Sequence, residues 1–425
     1  MPLAPQNDRV VVLVDAFGSA GYLAPALLGY GVRCVHVATS ADTVGALRNI
    51  HSPEFYLADL TDPGDLDALV DQLAPFRVGH VLPGLETGVE LAADLAERLA
   101  TPTRNERKLA RARRDKAAML DALDAAGVPV RRHREVASVE AALSWAREVG
   151  TWPVVVKPTN SAGTDGVLVC PDPAALERNA AAVLGRRTVF GSVNDTVLVE
   201  EFLDGPEYMV NTASSNGTHR IVEIWRTVKQ RQNDAQVYDY FELVDPRSEE
   251  GRRIGAPVDA VLDALGYRWG PSHLELIDAP DGVQLVECAP RFHGGVDLSS
   301  TMRALGGNHI TETVHALLSP GTFQERPRPA RDATGTCCSV VLLSPRDGVL
   351  ARDPGWERFL RGLTTYHSMK VRWSLGQRVA RTHDIFTSAG NVYLVGDAAE
   401  VAADRERVRA WSREELARCI DEVPA

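Results

Sequence analysis

Residues Ser272–Gly295 read SHLELIDAPDGVQLVECAPRFHGG. Leu274 and Leu276 precede the sequence Ala-Pro-Asp-Gly, and Val283 and Leu285 follow it, an alternation that predicts a β-hairpin. Glu275 and Glu287 each interrupt one apolar run. If Pro280, Asp281 and Gly282 form a three-residue loop, the two glutamates stand directly across from each other on one face, with Cβ atoms about 5 Å apart. A four-residue loop instead puts them on opposite faces, as in an ordinary solvated hairpin. Like charges that face each other destabilise a sheet, so the paired arrangement requires a retained proton or an intervening cation. An all-oxygen site suits Mg²⁺. Arg291 follows, stiffened by Pro290, and its guanidinium is placed to meet a phosphate held by such a metal.

The rest of the composition narrows the choice. A length of 425 residues allows two to four domains, and 44% hydrophobic with 24% charged residues is ordinary for a globular protein. No apolar run reaches the ~20 residues needed to cross a bilayer, and no leader sequence is expected, so a cytoplasmic protein is predicted. A net charge of -11 argues against nucleic acid as a partner. The basic run Arg104–Lys116 reads as a solvated helix face. Six cysteines without C-x-x-C spacing indicate neither a zinc site nor a disulfide framework.

From Arg9 to about Ala100, short β-branched runs alternate with amphipathic stretches, which predicts an open parallel α/β sheet. The glycines of the first turn, Gly18 and Gly21, lack dinucleotide-binding spacing. Gly84, Glu86 and Gly88 lie where a strand ends, the usual ligand edge of such a sheet, and are candidates for substrate contact. Lys116 opens a helix, Ser138 caps another, and the buried run Val154–Val156 ends in Lys157 and Pro158. A lysine there is costly to bury unless an anion meets it. The loop Thr159–Gly166 is rich in glycine and hydroxyl residues and can fold over phosphates, although it is not a Walker loop. Strands at Thr196–Glu200 and Glu207–Thr212 flank Asp204-Gly205-Pro206, and the strand edge near Phe202 and Leu203 offers backbone groups to a purine. Lys229, Arg231, Tyr238 and Tyr240 read as a polar loop. Beyond a proline- and arginine-rich linker at Gln324–Arg331, strands are expected at Cys337–Leu343, Val379–Thr387 and Asn391–Asp397, with a helical Glu400–Glu422. His383-Asp384 there reads as a structural pair.

Taken in order, Lys116 ahead of a helix, VVVKP with its glycine loop, VEEFLDGPE and the E…E-x-x-x-R hairpin resemble the ATP-grasp superfamily over about Asp115–Leu318. The resemblance implies a mixed α/β and α+β chain. Residues 1–114 would form an open parallel α/β domain, 115–194 and 195–323 the two halves of the ATP-grasp module, and 324–425 a small α+β domain. Lys116 and Lys157 would contact ATP phosphates under a loop containing Ser161, Ala162 and Gly163. Glu200, Glu201, Phe202 and Leu203 would border adenine, and Glu207 would hold ribose. Glu275 and Glu287 would ligate Mg²⁺, for which Mn²⁺ can substitute, while Arg291, with Lys157 and Glu287, would serve catalysis. Ala289 stands where many members have a metal-binding Asn, which removes one expected ligand.

The segments GPSHLE and ECAPRFHGG look most like the bacterial L-amino-acid ligases that make dipeptides, and biotin carboxylases are similar in layout. The implied reaction activates an amino-acid carboxylate as an acyl phosphate and couples it to an amine, with a homodimer implied by the family. A carboxylase, a ligase with another acceptor, and a non-catalytic nucleotide-binding module are the alternatives. His273, His293, Gly294, Gly295 and Asp297 are the candidates for substrate recognition. Gly294 and Gly295 leave room for a sizeable side chain.

Overall fold

Strand β1 (Val10–Val14) is buried along its whole length, as a central parallel strand covered on both faces must be. It lies between β2 (Cys34–Ala38) and β4 (Val78–Pro83), with β3 (Tyr56–Thr61) at the edge, all parallel. Alternate residues of β1 enter opposite layers. Val11 and Leu13 meet helix Leu23–Leu28, whereas Val10, Val12 and Val14 meet helices Leu66–Leu73 and Val89–Arg98. The computed structural model describes residues 9–40, 51–161, 166–188, 193–232, 235–295, 297–325, 335–385 and 387–421.

A second, antiparallel sheet has the order β5-β8-β6-β7, from β5 (His133–Val136), β6 (Val154–Pro158), β7 (Leu168–Cys170) and β8 (Val197–Glu201). Its apolar face packs on helices Val139–Val149 and Pro173–Val183. Ser138 caps the first of these by accepting from the Ala141 amide, as expected.

The third sheet has eight strands. It runs from β13 (Gly282–Ala289) through β12 (Gly270–Ala279), β9 (Glu207–Ser215), β10 (Thr218–Gln232) and β11 (Ala235–Val244) into β14 (Thr336–Leu342), β18 (Gly390–Gly396) and β16 (Tyr366–Val371). Strands from both sides of residue 324 thus share one sheet through the β11–β14 pairing. Short strands β15 (Gly348–Leu350), β17 (Arg378–Val379) and β19 (Ile420–Asp421) form a small sheet beside it. Among the described residues no helix is long and apolar enough to cross a membrane, and all six cysteines are free.

Several sequence expectations are corrected. Only Pro280 and Asp281 lie in the hairpin turn, because Ala279 already pairs with Gly282. Glu275 nevertheless faces Glu287, since a β-bulge after Leu285 takes up Val286 and restores the register. Lys229, Arg231, Tyr238 and Tyr240 are not in a loop: β10 and β11 carry them in antiparallel register, with Lys229 opposite Tyr238. Lys229 and Tyr238 face a charged cleft, whereas Arg231 is exposed and Tyr240 packs against Arg405 and Arg409. Val379–Thr387 is not one strand; β17 stops at Val379 and a turn follows, in which Asp384 accepts from the Thr387 amide at 2.8 Å. The basic run forms short 3-10 turns, and Arg113 is buried, donating to the Leu265 carbonyl at 2.8 Å.

Candidate active site

The hairpin has two unlike faces. Leu274, Leu276, Leu285 and Cys288 join a core with helix Val258–Ala264 and with Met119 and Leu123 of helix Lys116–Ala125. That packing fixes which face the glutamates take, because side chains alternate along a strand. It also brings in Lys116, whose helix is capped by Asp115 accepting from the Ala118 amide at 2.9 Å. Lys116 Nζ donates to Glu287 Oε1 at 3.1 Å and to the Ser161 carbonyl at 2.8 Å. The compensating cation of the paired carboxylates is thus supplied partly by the protein. Burial pushes the Glu287 carboxyl up, Lys116 opposes that, and Glu275 and Glu86 add to the rise.

Across the cleft, Lys157 ends β6 among buried valines and meets Glu200 Oε1 at 2.7 Å. Glu200 Oε2 accepts from Arg131 at 2.6 Å, so one buried carboxylate serves two cations. Burial would raise the Glu200 pKa, but Arg131 and Lys157 hold it below the usual range. Lys157 is lowered to about 8, chiefly by burial, with Glu200 opposing and Arg131 and Lys116 adding. The Glu200 side chain therefore anchors Lys157 rather than facing a base. Glu201 is turned outward, pairing with Arg132 at 2.5 Å. Phe202, partly exposed, and Leu203 line the cleft beside Val155 and Ile277.

Glu207 pairs with Lys229 at 2.5 Å, and the Lys229 ammonium lies 4.9 Å from the centre of the Tyr238 ring. Burial raises the Glu207 pKa against the pull of Lys229, with Glu275 adding. Tyr238 is pushed well above the phenol range by burial and by Glu207, Glu275 and Glu287.

Beyond the carboxylate pair, Arg291 Nε donates to Glu86 Oε1 at 2.5 Å, and its Nη1 donates to the Phe292 carbonyl at 2.8 Å. Burial alone would raise the Glu86 pKa, but the Arg291 charge and hydrogen bond hold it below the usual range. Gly84 and Gly88 serve the fold here rather than a ligand. A Cβ on Gly84 would come within 2.5 Å of the Asp15 carbonyl oxygen, and one on Gly88 within 2.8 Å of the Val14 carbonyl oxygen.

His273 and His293 stack with ring centres 4.6 Å apart. Both imidazoles are held well below the usual histidine range, first by burial and then by nearby cationic or histidine neighbours. His273 Nδ1 and Asn211 Oδ1 are 2.8 Å apart, and His273 Nε2 lies 3.6 Å from Glu275 Oε1. His293 Nδ1 is buried with no hydrogen-bond partner. Gly294 and Gly295 are exposed, and the Gly295 carbonyl accepts from Tyr393 Oη at 2.9 Å. Asp297 caps helix Leu298–Leu305, accepting from the Ser299 amide at 3.0 Å, and is held by Ser368. Its carboxylate is thereby spent on the fold. Ala162 and Gly163 lie outside the described residues.

Four participants escaped the sequence reading in these roles. Arg131, Lys229 and Tyr238 were not singled out as site residues, and Glu86 was marked only by its place at a strand end. None sits in a motif; strand pairing brings Lys229 and Tyr238 to the cleft, and ion pairs across the fold bring Arg131 to Glu200 and Glu86 to Arg291.

Glu275 and Glu287 fit a Mg²⁺ site. Two carboxylates leave one face, nitrogen and sulfur ligands are absent from the pair, and the site already draws a lysine ammonium. Ala289 is buried opposite His273 and supplies no further oxygen side chain.

Comparison with known proteins places these features. A family profile described as an ATP-grasp domain matches residues 151–300. Dapdiamide A synthase of Enterobacter agglomerans is 29% identical over 404 residues, covering 92% of each chain. The crystal structure of L-amino acid ligase from Bacillus licheniformis superposes with a TM-score of 0.73 at 17% identity, covering 95% of this chain and 97% of that one. The biotin carboxylase domain of 2-oxoglutarate carboxylase from Hydrogenobacter thermophilus, solved with MgADP and bicarbonate, gives 0.61 at 17% identity, over 93% and 88%. At such identities the structural matches speak for the fold.

Proposed function

The chain is a member of the ATP-grasp superfamily, and from that premise we propose that it is an ADP-forming ligase joining an amino-acid carboxylate to an amine, normally that of a second amino acid. The observation that carries this reading is one cleft lined by Lys116, Lys157 and the facing carboxylates Glu275 and Glu287, with Lys116 on Glu287, Lys157 held by Glu200, Arg291 held by Glu86, and Cys288 turned into the core. Phosphoryl transfer needs positioning and charge neutralisation rather than a protein nucleophile, and this cleft offers those.

In the first step a substrate carboxylate oxygen bonds to the γ-phosphorus as the bond to the ADP oxygen breaks. Lys157, fixed by Glu200, and Lys116, released from Glu287, meet the phosphate oxygens. Arg291 neutralises the transferred group. Glu275 and Glu287 would hold Mg²⁺, which supplies further charge neutralisation at the phosphates. Phe202 and Leu203 border the base through their backbone, and Glu207 reaches the ribose hydroxyls. In the second step the amine nitrogen bonds to the acyl carbon, the carbon–oxygen bond to phosphate breaks, and the amine proton leaves to solvent. The acyl phosphate hydrolyses readily, so the second step needs water kept from it. A cytoplasmic site of action accords with the need for ATP, and a homodimer with the family.

The test is an ADP-release screen over pairs of amino acids, with mass spectrometry of the products. Release with an acid and amine together, and a product mass lacking one water, supports the reading. Bicarbonate-dependent release favours a carboxylase, and none with any pair rejects the ligase.

A further inference from the structure

Glu86 comes from the turn between β4 and helix Val89–Arg98, in a different domain from the hairpin, yet it is the residue that Arg291 holds. We propose that Glu86 binds the α-ammonium of the acid that is activated, so that Glu86 and Arg291 form a clamp for an α-amino-acid zwitterion and reject acids that lack the amine. The proposal rests on the ligase reading and adds to it the identity of the group that selects the acyl donor.

The geometry supports this in three ways. Arg291 places both Nε and Nη2 on Oε1 of Glu86, each at 2.5 Å. Oε2 is left with no side-chain partner among the described residues. A carboxylate that meets its cation through one oxygen only keeps acceptor capacity for a second cation. Of the other acids of the cleft, Glu200 is engaged by Lys157 and Arg131, Glu207 by Lys229 and Glu287 by Lys116, and Glu275, which faces Glu287, would be taken by Mg²⁺.

Both halves of the clamp are also fixed by the same core. The turn is locked as Thr87 Oγ1 donates to Asp15 Oδ2 at 2.5 Å, and Gly84 and Gly88 press on the end of β1. Phe292, next to Arg291, is buried with Leu13, Leu82 and Ile310 in the core of the N-terminal domain. Finally, an α-amino acid carries its ammonium and carboxylate two bonds apart, and adjacent charges of opposite sign on the protein complement that pair. An amine held as ammonium by Glu86 has no lone pair, so the donor cannot act as the attacking amine. The clamp therefore also decides which amino acid is activated and which attacks.

The experiment uses hydroxylamine as a common amine, with ATP and Mg²⁺, and reads ADP release and hydroxamate. Matched donors differ only in the amine: alanine against propanoate, phenylalanine against 3-phenylpropanoate, and likewise for each donor found active. Wild type should favour the amino acid by on the order of tenfold to a hundredfold in kcat/KM, the range of one charge-assisted hydrogen bond. Glu86→Gln should erase that preference through the KM of the amino acid, with the KM of ATP unchanged, and Glu86→Asp should restore part of it. Equal acceptance of both donors by wild type, or an equal fall for both in Glu86→Gln, overturns the clamp and leaves the ligase standing. No ADP release with any acid overturns the ligase and the clamp together. Should Glu86→Gln fail to fold, Glu86→Asp carries the same comparison, and equal acceptance of both donors by wild type overturns the clamp without either variant.

Discussion

Lys116 Nζ lies 3.1 Å from Glu287 Oε1, so a lysine at the start of helix Lys116–Ala125 balances charge on the carboxylate pair of the hairpin. Either Mg²⁺ or Lys116 can neutralise the pair. Removing the lysine as Lys116→Met should therefore lower the Tm in chelator and let Mg²⁺ recover part of the loss. A Tm equally insensitive to Mg²⁺ in variant and wild type would reject this compensation.

Glu287→Gln and Arg291→Ala should each reduce ADP release by on the order of a hundredfold or more, because the first removes a carboxylate proposed to hold Mg²⁺ and the second removes the cation proposed to meet the transferred phosphoryl group. Circular dichroism should remain that of wild type. Wild-type turnover in either variant counts against the proposed site.

Glu200 holds two buried cations, with side chains of Arg131, Lys157 and Glu200 no more than 5% exposed. Glu200→Ala leaves both unpaired, and the expected loss is about 3–5 kcal/mol. Urea unfolding measures it directly, and a loss below about 1 kcal/mol would show that water reaches the pair.

The lowering of Lys157 to about 8 makes a pH prediction with a definite sign. Below that value the ammonium is present to meet phosphate; above it the amine is neutral. The kcat/KM for ATP should fall as pH rises through about 8, approaching tenfold per unit at the limit. Stability moves oppositely. Between about 8 and the unfolded value near 10.5, the unfolded chain binds the proton and the folded chain does not, so this group favours folding more as pH rises. Below about 8 the cost of burying the charged form is present in full. A pH–rate profile and urea unfolding at two pH values separate the effects.

Gly295 is exposed, and a Cβ there would lie 3.6 Å and 3.7 Å from the His293 ring atoms Cε1 and Nε2, ordinary contact distances. Gly295→Trp should be tolerated by the fold and should shift donor preference toward small side chains. The ratio of kcat/KM for alanine to that for phenylalanine checks this, and unchanged selectivity rejects it.

The hairpin was legible because alternation, turn residues and the two interrupting glutamates are all local. Its pairing came out as expected even though the turn is one residue tighter, because Val286 is taken up in the bulge. Lys229 and Tyr238 were misread for a physical reason. Polar residues on a strand facing a charged cleft have the composition of a loop, and nothing in the local sequence distinguishes the two. Asp297, close to the hairpin in sequence, is spent on a helix cap and on Ser368.

By itself the sequence determined the parallel N-terminal layer, the strands that carry Lys157, Glu207, Glu275 and Glu287, and the order of stations that resembles ATP-grasp proteins. Period and turn chemistry act over a few residues and can be read there. Only the tertiary structure decided that Glu200 would serve Lys157 and Arg131, that Lys116 would reach Glu287, and that Glu86 would meet Arg291 from another domain. Those pairings span 43 to 205 residues of chain, and they exist because buried apolar faces fix how the sheets meet, which no local pattern specifies.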